Sequence, residues 1–539
     1  MRITPALLSI AALALTLGCG SGGGGNTTTS TGGSGGGGTT TTTTTSADSS
    51  VVETDHGKVQ GVITEGTRAF LGIPFAAPPV GALRWKAPAP AAAWSDLKDA
   101  TKKGLPCPQL DSLTGKPKAA ASEDCLHLNV WTPENATGAP VMVWIHGGGF
   151  TIGSGGEITY DGAALSAATG AVVVTINYRL GPLGFLAHPA LTSEDAGHPS
   201  SGMYGFEDQR AALSWVKDNA AAFGGDPERI TLFGESAGAI STCLHLLSPK
   251  SQGLFHRAVV QSGACSLAGG TQASAELQGG DLAAAVGCAD PPKALECLRG
   301  KPPEELLLAL PEKPGEIGPG GAAWVPIVDG YNMPDQPAAL LASGSFTKVP
   351  TILGTNADEG TIFFFIGLSA KDETEYLDLM SGIWPGHGAD IVAQYPATTF
   401  GSARAAAIAA IGDGMFVCPG RRTARALAAA GAPVYRYDFR HAPKALIPDL
   451  GAFHSAEVPF IFGNPYLGIV LDEEERKLQA AMRGYWARLA ASGDPNGGGA
   501  PAWPSYEEAT HEHLALDLTI STESGLKESE CDFWDPIGP

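Results

Sequence analysis

Five short apolar runs constrain the fold of this chain more than any other feature: Val141–Ile145 (VMVWI), Ala171–Ile176 (AVVVTI), Ile230–Phe233 (ITLF), Ala258–Gln261 (AVVQ) and Pro350–Gly354 (PTILG). Each is nearly continuous in apolar, mostly β-branched residues, so a strand made from it has two faces to cover. Such strands belong in the middle of a sheet with helices on both sides. Segments such as Asp208–Phe223 (DQRAALSWVKDNAAAF) supply the helices, since Ala, Leu, Trp and Val recur there at helical spacing. The alternation argues for an α/β fold with a large, mostly parallel central sheet flanked by helices.

At 43% hydrophobic and 17% charged the 539 residues are globular and long enough for one very large core or several ordinary ones. A formal charge of -21 argues against nucleic acid as a partner, because phosphates need Lys and Arg to neutralise them. A solvated acidic surface is the simpler reading of that charge.

The N-terminus reads as targeting rather than fold. Met1-Arg2 gives a positive start, Ala6–Leu17 an apolar run too short to span a bilayer, and Gly18-Cys19 follows. Residues 1–18 thus read as a signal peptide. The Gly-Cys end resembles a bacterial lipoprotein signal in which Cys19 becomes the lipidated first residue, an ordinary cleaved secretory signal being the alternative. Either way the protein is exported. Residues 19–49 are Gly, Thr and Ser with almost nothing to bury, which reads as a disordered tether. Its r.m.s. reach is roughly 30 Å by the Gly/Ser random-coil relation. The folded body is expected over 50–539. No later apolar run is long enough to cross a membrane, so attachment is expected only through the N-terminal lipid anchor.

Without Cys19 eight cysteines remain, an even count with no C-x-x-C spacing, which in an oxidising compartment favours disulfides over a metal site. No metal and no cofactor are expected.

The chemistry centres on TLFGESAGAI, Thr231–Ile240. A Gly-x-Ser-x-Gly match arises by chance about once in a chain this rich in glycine, so the pattern alone is weak. Indeed Gly32-Gly33-Ser34-Gly35-Gly36 also fits, inside the tether. Context separates the two: Ser236 sits where an apolar run ends and a helix is expected to begin, the setting of a nucleophile elbow. Gly234 and Gly238 are then the small residues that the tight turn needs. Upstream, WIHGGGF (Trp144–Phe150) follows another strand directly, and its uncovered N-H groups, with that of Ala237, suit an oxyanion.

A base and an acid are expected after the serine, acid first. The histidines are His245, His256, His387, His441, His454, His511 and His513, of which His245 reads as a packed helical residue. NADEG, after the Pro350 run, offers Asp358 or Glu359 as the acid. Spacing does not decide among them.

The chain resembles the type B carboxylesterases, a family that includes bacterial para-nitrobenzyl esterases, vertebrate liver carboxylesterases and cholinesterases. The motifs that carry the resemblance run through most of the chain: FLGIPFAAPPVGALRW (70–85), SEDCLHLNVW (122–131), HGGGF, NYRLGPLGF (177–185), DQRAALSWV, FGGDP (223–227), GESAG, QSG (261–263), VPIVDG (325–330), NADEG, FHSAEVPFIFG (453–463) and SGDPN (492–496). The resemblance implies an α/β-hydrolase fold and a serine carboxylesterase acting through an acyl-enzyme. It implies Ser236 as nucleophile, Glu359 as acid and His454 as base, with Gly148, Gly149 and Ala237 as oxyanion donors and Ser262 and Glu457 supporting the triad. It also implies the disulfides Cys107–Cys125, Cys288–Cys297 and Cys418–Cys531, with Cys243–Cys265 as the remaining pair. Met203 stands where the family usually has Asn, which questions a loop contact.

The expected partner is a small-molecule ester. Gly115, beside Lys116, takes the place of the tryptophan that binds choline in cholinesterases, and GPGGAAW (318–324) lacks their bulky acyl-pocket aromatics. A neutral ester with a roomier acyl side is therefore expected. A lipase acting on longer-chain lipid and a non-catalytic, neuroligin-like adhesion protein are the alternatives. Oligomeric state is not legible.

Overall fold

A computed structural model of the chain describes residues 49–538 except 113, 266–269, 311–323 and 448. The expected signal peptide, Cys19, nearly all of the expected 19–49 tether and nearly all of the 318–324 stretch lie outside the described residues.

The strands are β1 (Val51–Thr54), β2 (Gly57–Gln60), β3 (Val62–Thr64), β4 (Thr67–Pro74), β5 (Lys98–Asp99), β6 (His127–Pro133), β7 (Ala139–Ile145), β8 (Val172–Ile176), β9 (Gly225–Glu235), β10 (Arg257–Gln261), β11 (Thr351–Asn356), β12 (Val434–Phe439), β13 (Glu512–Leu516) and β14 (Ser521–Ser524). β1, β2 and β5 form a small sheet, and the other eleven form the main one, in the order β14-β13-β12-β11-β10-β9-β7-β8-β6-β4-β3. From β13 to β8 neighbouring strands run parallel, while β14 at one edge and β6, β4 and β3 at the other are antiparallel.

All five runs picked out in the sequence are central strands of that parallel region. Successive residues feed opposite cores: Val141, Val143 and Ile145 of β7 join one apolar cluster, and Met142 and Trp144 join another. That is why the runs are apolar at every position rather than alternating. The expected helix at 208–223 starts earlier, as Tyr204–Asn219, and ends in a short 3-10 turn, Ala220–Phe223. Met203 is buried, and its Sδ accepts a hydrogen bond from Ile327 N at 3.1 Å, so it makes a loop contact of its own.

Parallel pairing sets the carboxyl ends of β9, β10 and β11 side by side, with Glu235 opposite Gln261 and Gln261 opposite Gly354. That edge of an open α/β sheet is where ligands bind. Four disulfides stitch the body together: Cys107–Cys125, Cys243–Cys265, Cys288–Cys297 and Cys418–Cys531. These are the four pairs that the family resemblance implies, and such bonds are characteristic of oxidising compartments.

The elbow is wedged against the end of β7. A Cβ on Gly238 would lie 2.0 Å from Ile145 O, and one on Gly234 would lie 2.5 Å from the backbone of Gly238. Alanine ordinarily improves a helix over glycine by about 1 kcal/mol. Here the overlap is with main chain, which cannot swing aside, so Gly238→Ala is expected to destabilise by about 1–3 kcal/mol. Urea unfolding measures it, and a stabilised variant would contradict the packing.

Candidate active site

Ser236 links β9 to the helix Ala237–Leu247 with φ +56° and ψ -122°. A residue other than glycine rarely adopts such a backbone, and the turn is held by Ser236 N donating to Gln261 O of β10 at 2.9 Å. Glu235 and Ala237 on either side are buried, whereas Ser236 is only half-buried. The turn therefore leaves the hydroxyl-bearing residue accessible between two that are not.

The glycine turn after β7 lies against this elbow. A Cβ on Gly147 would sit 3.1 Å from Ser236 Cβ and 2.7 Å from Glu235 Oε2. Gly148 and Gly149 follow at φ +106° and +59°, partly exposed, so their conformation is one that glycine adopts freely. Ala237 opens its helix, where N-H groups have no partner within the helix.

The two neighbouring carboxylates that the sequence left open as the acid go to different places. Glu359 is fully buried; its Oε2 lies 2.6 Å from His454 Nδ1 and its Oε1 accepts from Asn356 N at 2.8 Å. Asp358 is exposed and instead pairs with Ala452: its carboxylate accepts from Ala452 N at 2.8 Å, and its own N-H donates to Ala452 O at 3.0 Å. It ties down the loop that carries the histidine. His245 is the packed helical residue expected, buried between Ser251 and Gln209 and stacked on Phe206. His441 lies between Glu475 and Asp517, and His256 near Glu228.

The His454 ring is buried against Phe363 and Phe416, with centroids at 5.3 and 4.8 Å. Its Nε2 has no hydrogen-bond partner among the described residues, although Glu235 Oε1 is 3.1 Å away. Burial alone would push this imidazole down, but the carboxylates of Glu235 and Glu359 outweigh it and hold it up at about 9. Burial in turn raises Glu235 above the usual carboxylate range.

Behind the pair runs a chain of buried hydrogen bonds. Trp486 Nε1 donates to Gln261 Oε1, Gln261 Nε2 to Glu457 Oε1, and Asn356 Nδ2 to Glu457 Oε2, at 3.2, 2.9 and 2.6 Å. Asn356 also donates to Phe453 O, next to the histidine. Glu457 is thus linked through Asn356 to the backbone beside His454. Ser262 has φ +55° and donates its N-H to Gly354 O, but its Oγ is buried without a partner among the described residues. Its contact with the neighbouring strand is made by the main chain. Sequence reasoning passed over Glu235, Gln261 and Asn356, although each lies inside a quoted motif, because a motif gives a position and not a direction.

The sequence model of the carboxylesterase family matches residues 48–534. Among curated proteins, carboxylesterase 5A of Felis catus is 38% identical over 532 residues, covering 90% of this chain and 94% of that protein. Carboxylesterase 5A of Canis lupus familiaris is 38% identical over 537 residues, covering 92% and 90%. Acylcarnitine hydrolase of Mus musculus is 36% identical over 527 residues, covering 90% and 91%.

Proposed function

The chain belongs to the carboxylesterase family and hydrolyses carboxylic esters as a serine esterase, and from that premise we propose that Ser236, His454 and Glu359 carry the reaction. The observation that carries the assignment is the buried 2.6 Å contact of Glu359 with His454 Nδ1, which leaves Nε2 as the nitrogen without a hydrogen-bond partner among the described residues. In this reading Nε2 takes the proton of Ser236 as Oγ attacks the ester carbonyl. Glu359 holds the tautomer and stabilises the imidazolium, and the N-H groups of Gly148, Gly149 and Ala237 hold the oxyanion. His454 then protonates the departing alcohol. Water, activated by the same nitrogen, releases the acid from the acyl-enzyme. Glu457 and Ser262 lie behind the pair as structural support.

The proposed substrate is a neutral ester. Gly115 has φ +64° with open space where a side chain would be, so no aromatic face for a quaternary ammonium stands there. Initial rates on para-nitrophenyl acetate, butyrate and palmitate, beside acetylcholine, test this. The neutral aryl esters are expected to dominate. Comparable turnover of acetylcholine overturns the choline-blind reading, and a rate that jumps above the micelle concentration of the long ester turns the assignment toward a lipase.

The same assay across pH tests the base. Only neutral His454 accepts a proton, so kcat/KM should fall as pH drops through a value raised above the ordinary imidazole's. Removing the Glu235 anion in Glu235→Gln lowers that value and should move the rising limb to lower pH. A limb that stays put removes Glu235 from the electrostatics of the base.

Residues 1–18 are proposed as an export signal and 19–49 as a tether ahead of the 50–539 body, which the four disulfides support. Lipidation at Cys19 rests on the Gly18-Cys19 pattern alone.

A further inference from the structure

One buried side chain outside the triad pairs with both main-chain groups of a single residue. Gln109 Nε2 donates to Gly153 O and Gln109 Oε1 accepts from Gly153 N, each at 2.9 Å, and Nε2 also donates to Cys107 O at 3.0 Å. The amide does for Gly153 what a neighbouring strand would do, in a place only 2% exposed. Gly153 has φ +110°, and a Cβ there would strike His146 Nδ1 at 2.4 Å and Gly147 O at 2.7 Å. Residue 153 is thus folded back onto the residues that open the glycine turn. Inside the turn, Thr151 N and Ile152 N both donate to Gly148 O at 3.1 Å.

The next two residues are held in the same way. Ser154 Oγ and Gly155 N donate to Asn177 Oδ1 at 2.9 Å, and Asn177 Nδ2 donates to Leu105 O and Cys125 O at 3.0 Å. Gln109 lies within the loop closed by Cys107–Cys125. The glycine turn is therefore fastened, through two side-chain amides, near both ends of that disulfide loop.

We infer that Gln109 is a positioning residue for ester hydrolysis: it fixes the Gly148–Gly149 turn in the geometry that receives the oxyanion. The inference rests on the reading of those N-H groups as oxyanion donors. Such donors act only from a fixed place about 2.7–3.1 Å from the oxygen that develops charge. A displacement of about 1 Å costs roughly 100-fold.

The test is Gln109→Met, which keeps the bulk and loses all three hydrogen bonds, together with Gln109→Asn, which keeps the polarity but shortens the reach and secures a folded variant. Each is assayed on a para-nitrophenyl ester and on its thionoester, whose C=S sulfur is a larger and poorer acceptor for donors spaced for oxygen. Wild type is expected to prefer the ester strongly. In the variants kcat on the ester should fall about 10- to 100-fold, with KM within about threefold, as for interactions made only in the transition state. The ester-to-thionoester ratio should fall with it, because the thionoester had little to lose. A kcat that falls with the ratio unchanged, or does not fall, overturns the role of Gln109. A wild type that treats the two substrates alike overturns the oxyanion assignment itself, a separate result.

Discussion

Ser236→Ala will lower kcat on any accepted ester by about ten-thousand-fold to a million-fold, the loss seen when a triad nucleophile is removed. The magnitude follows from replacement of the route rather than from weaker binding: without Oγ no acyl-enzyme forms, and only the oxyanion donors and bound geometry remain to help direct attack by water. The substitution leaves the main chain as it is, including the N-H that donates to Gln261 O, so thermal unfolding should change little. Pre-steady-state release of para-nitrophenol is the sharper measurement, because the wild type should show a burst equal to one acyl group per site and the variant none. Residual turnover within tenfold of wild type would transfer the chemistry to another residue.

Glu359→Gln comes next, at about ten-thousand-fold in kcat, the size of effect known for an acid-to-amide change at the orienting position of a triad. An amide reaching His454 Nδ1 through its nitrogen imposes the wrong tautomer and places the proton on Nε2, where the base has to be empty. Asp358→Asn is the paired control. Asp358 accepts from Ala452 N and faces solvent, and an asparagine oxygen can still accept there, so its cost in kcat should stay within about tenfold. Equal losses from the two substitutions would mean that the loop contact of Asp358, and not the ion pair of Glu359, sets the rate.

Adjacent carboxylates also mark where sequence reasoning stops. Asp358 and Glu359 are consecutive on one turn, and their partners, Ala452 and His454, lie more than 90 positions away. Nothing local separates them. The turn at Ser236 was legible because its evidence is local: a strand, two small residues and a helix are contiguous in the chain. Central strands were legible for a similar reason, since burial on two faces leaves an unbroken apolar run. β12 was not. Its VYRYDF sequence carries Arg436 and Asp438 into the interior at 1% and 3% exposure, with Arg436 Nη2 donating to Val417 O and Asp438 accepting from Arg440. Buried charges that find partners off the strand erase the pattern by which a strand is known. Edge strands such as β3, exposed at every residue, have no such pattern to show.

Seen through selection, the elbow sets stability against purpose. Ser236 holds a backbone that suits glycine, at a cost of order 1–3 kcal/mol for a side chain held there. A glycine at the same position would relieve that strain. A library screened for heat resistance alone would therefore be drawn to erase the proposed nucleophile, and only a screen that also demands turnover would keep it.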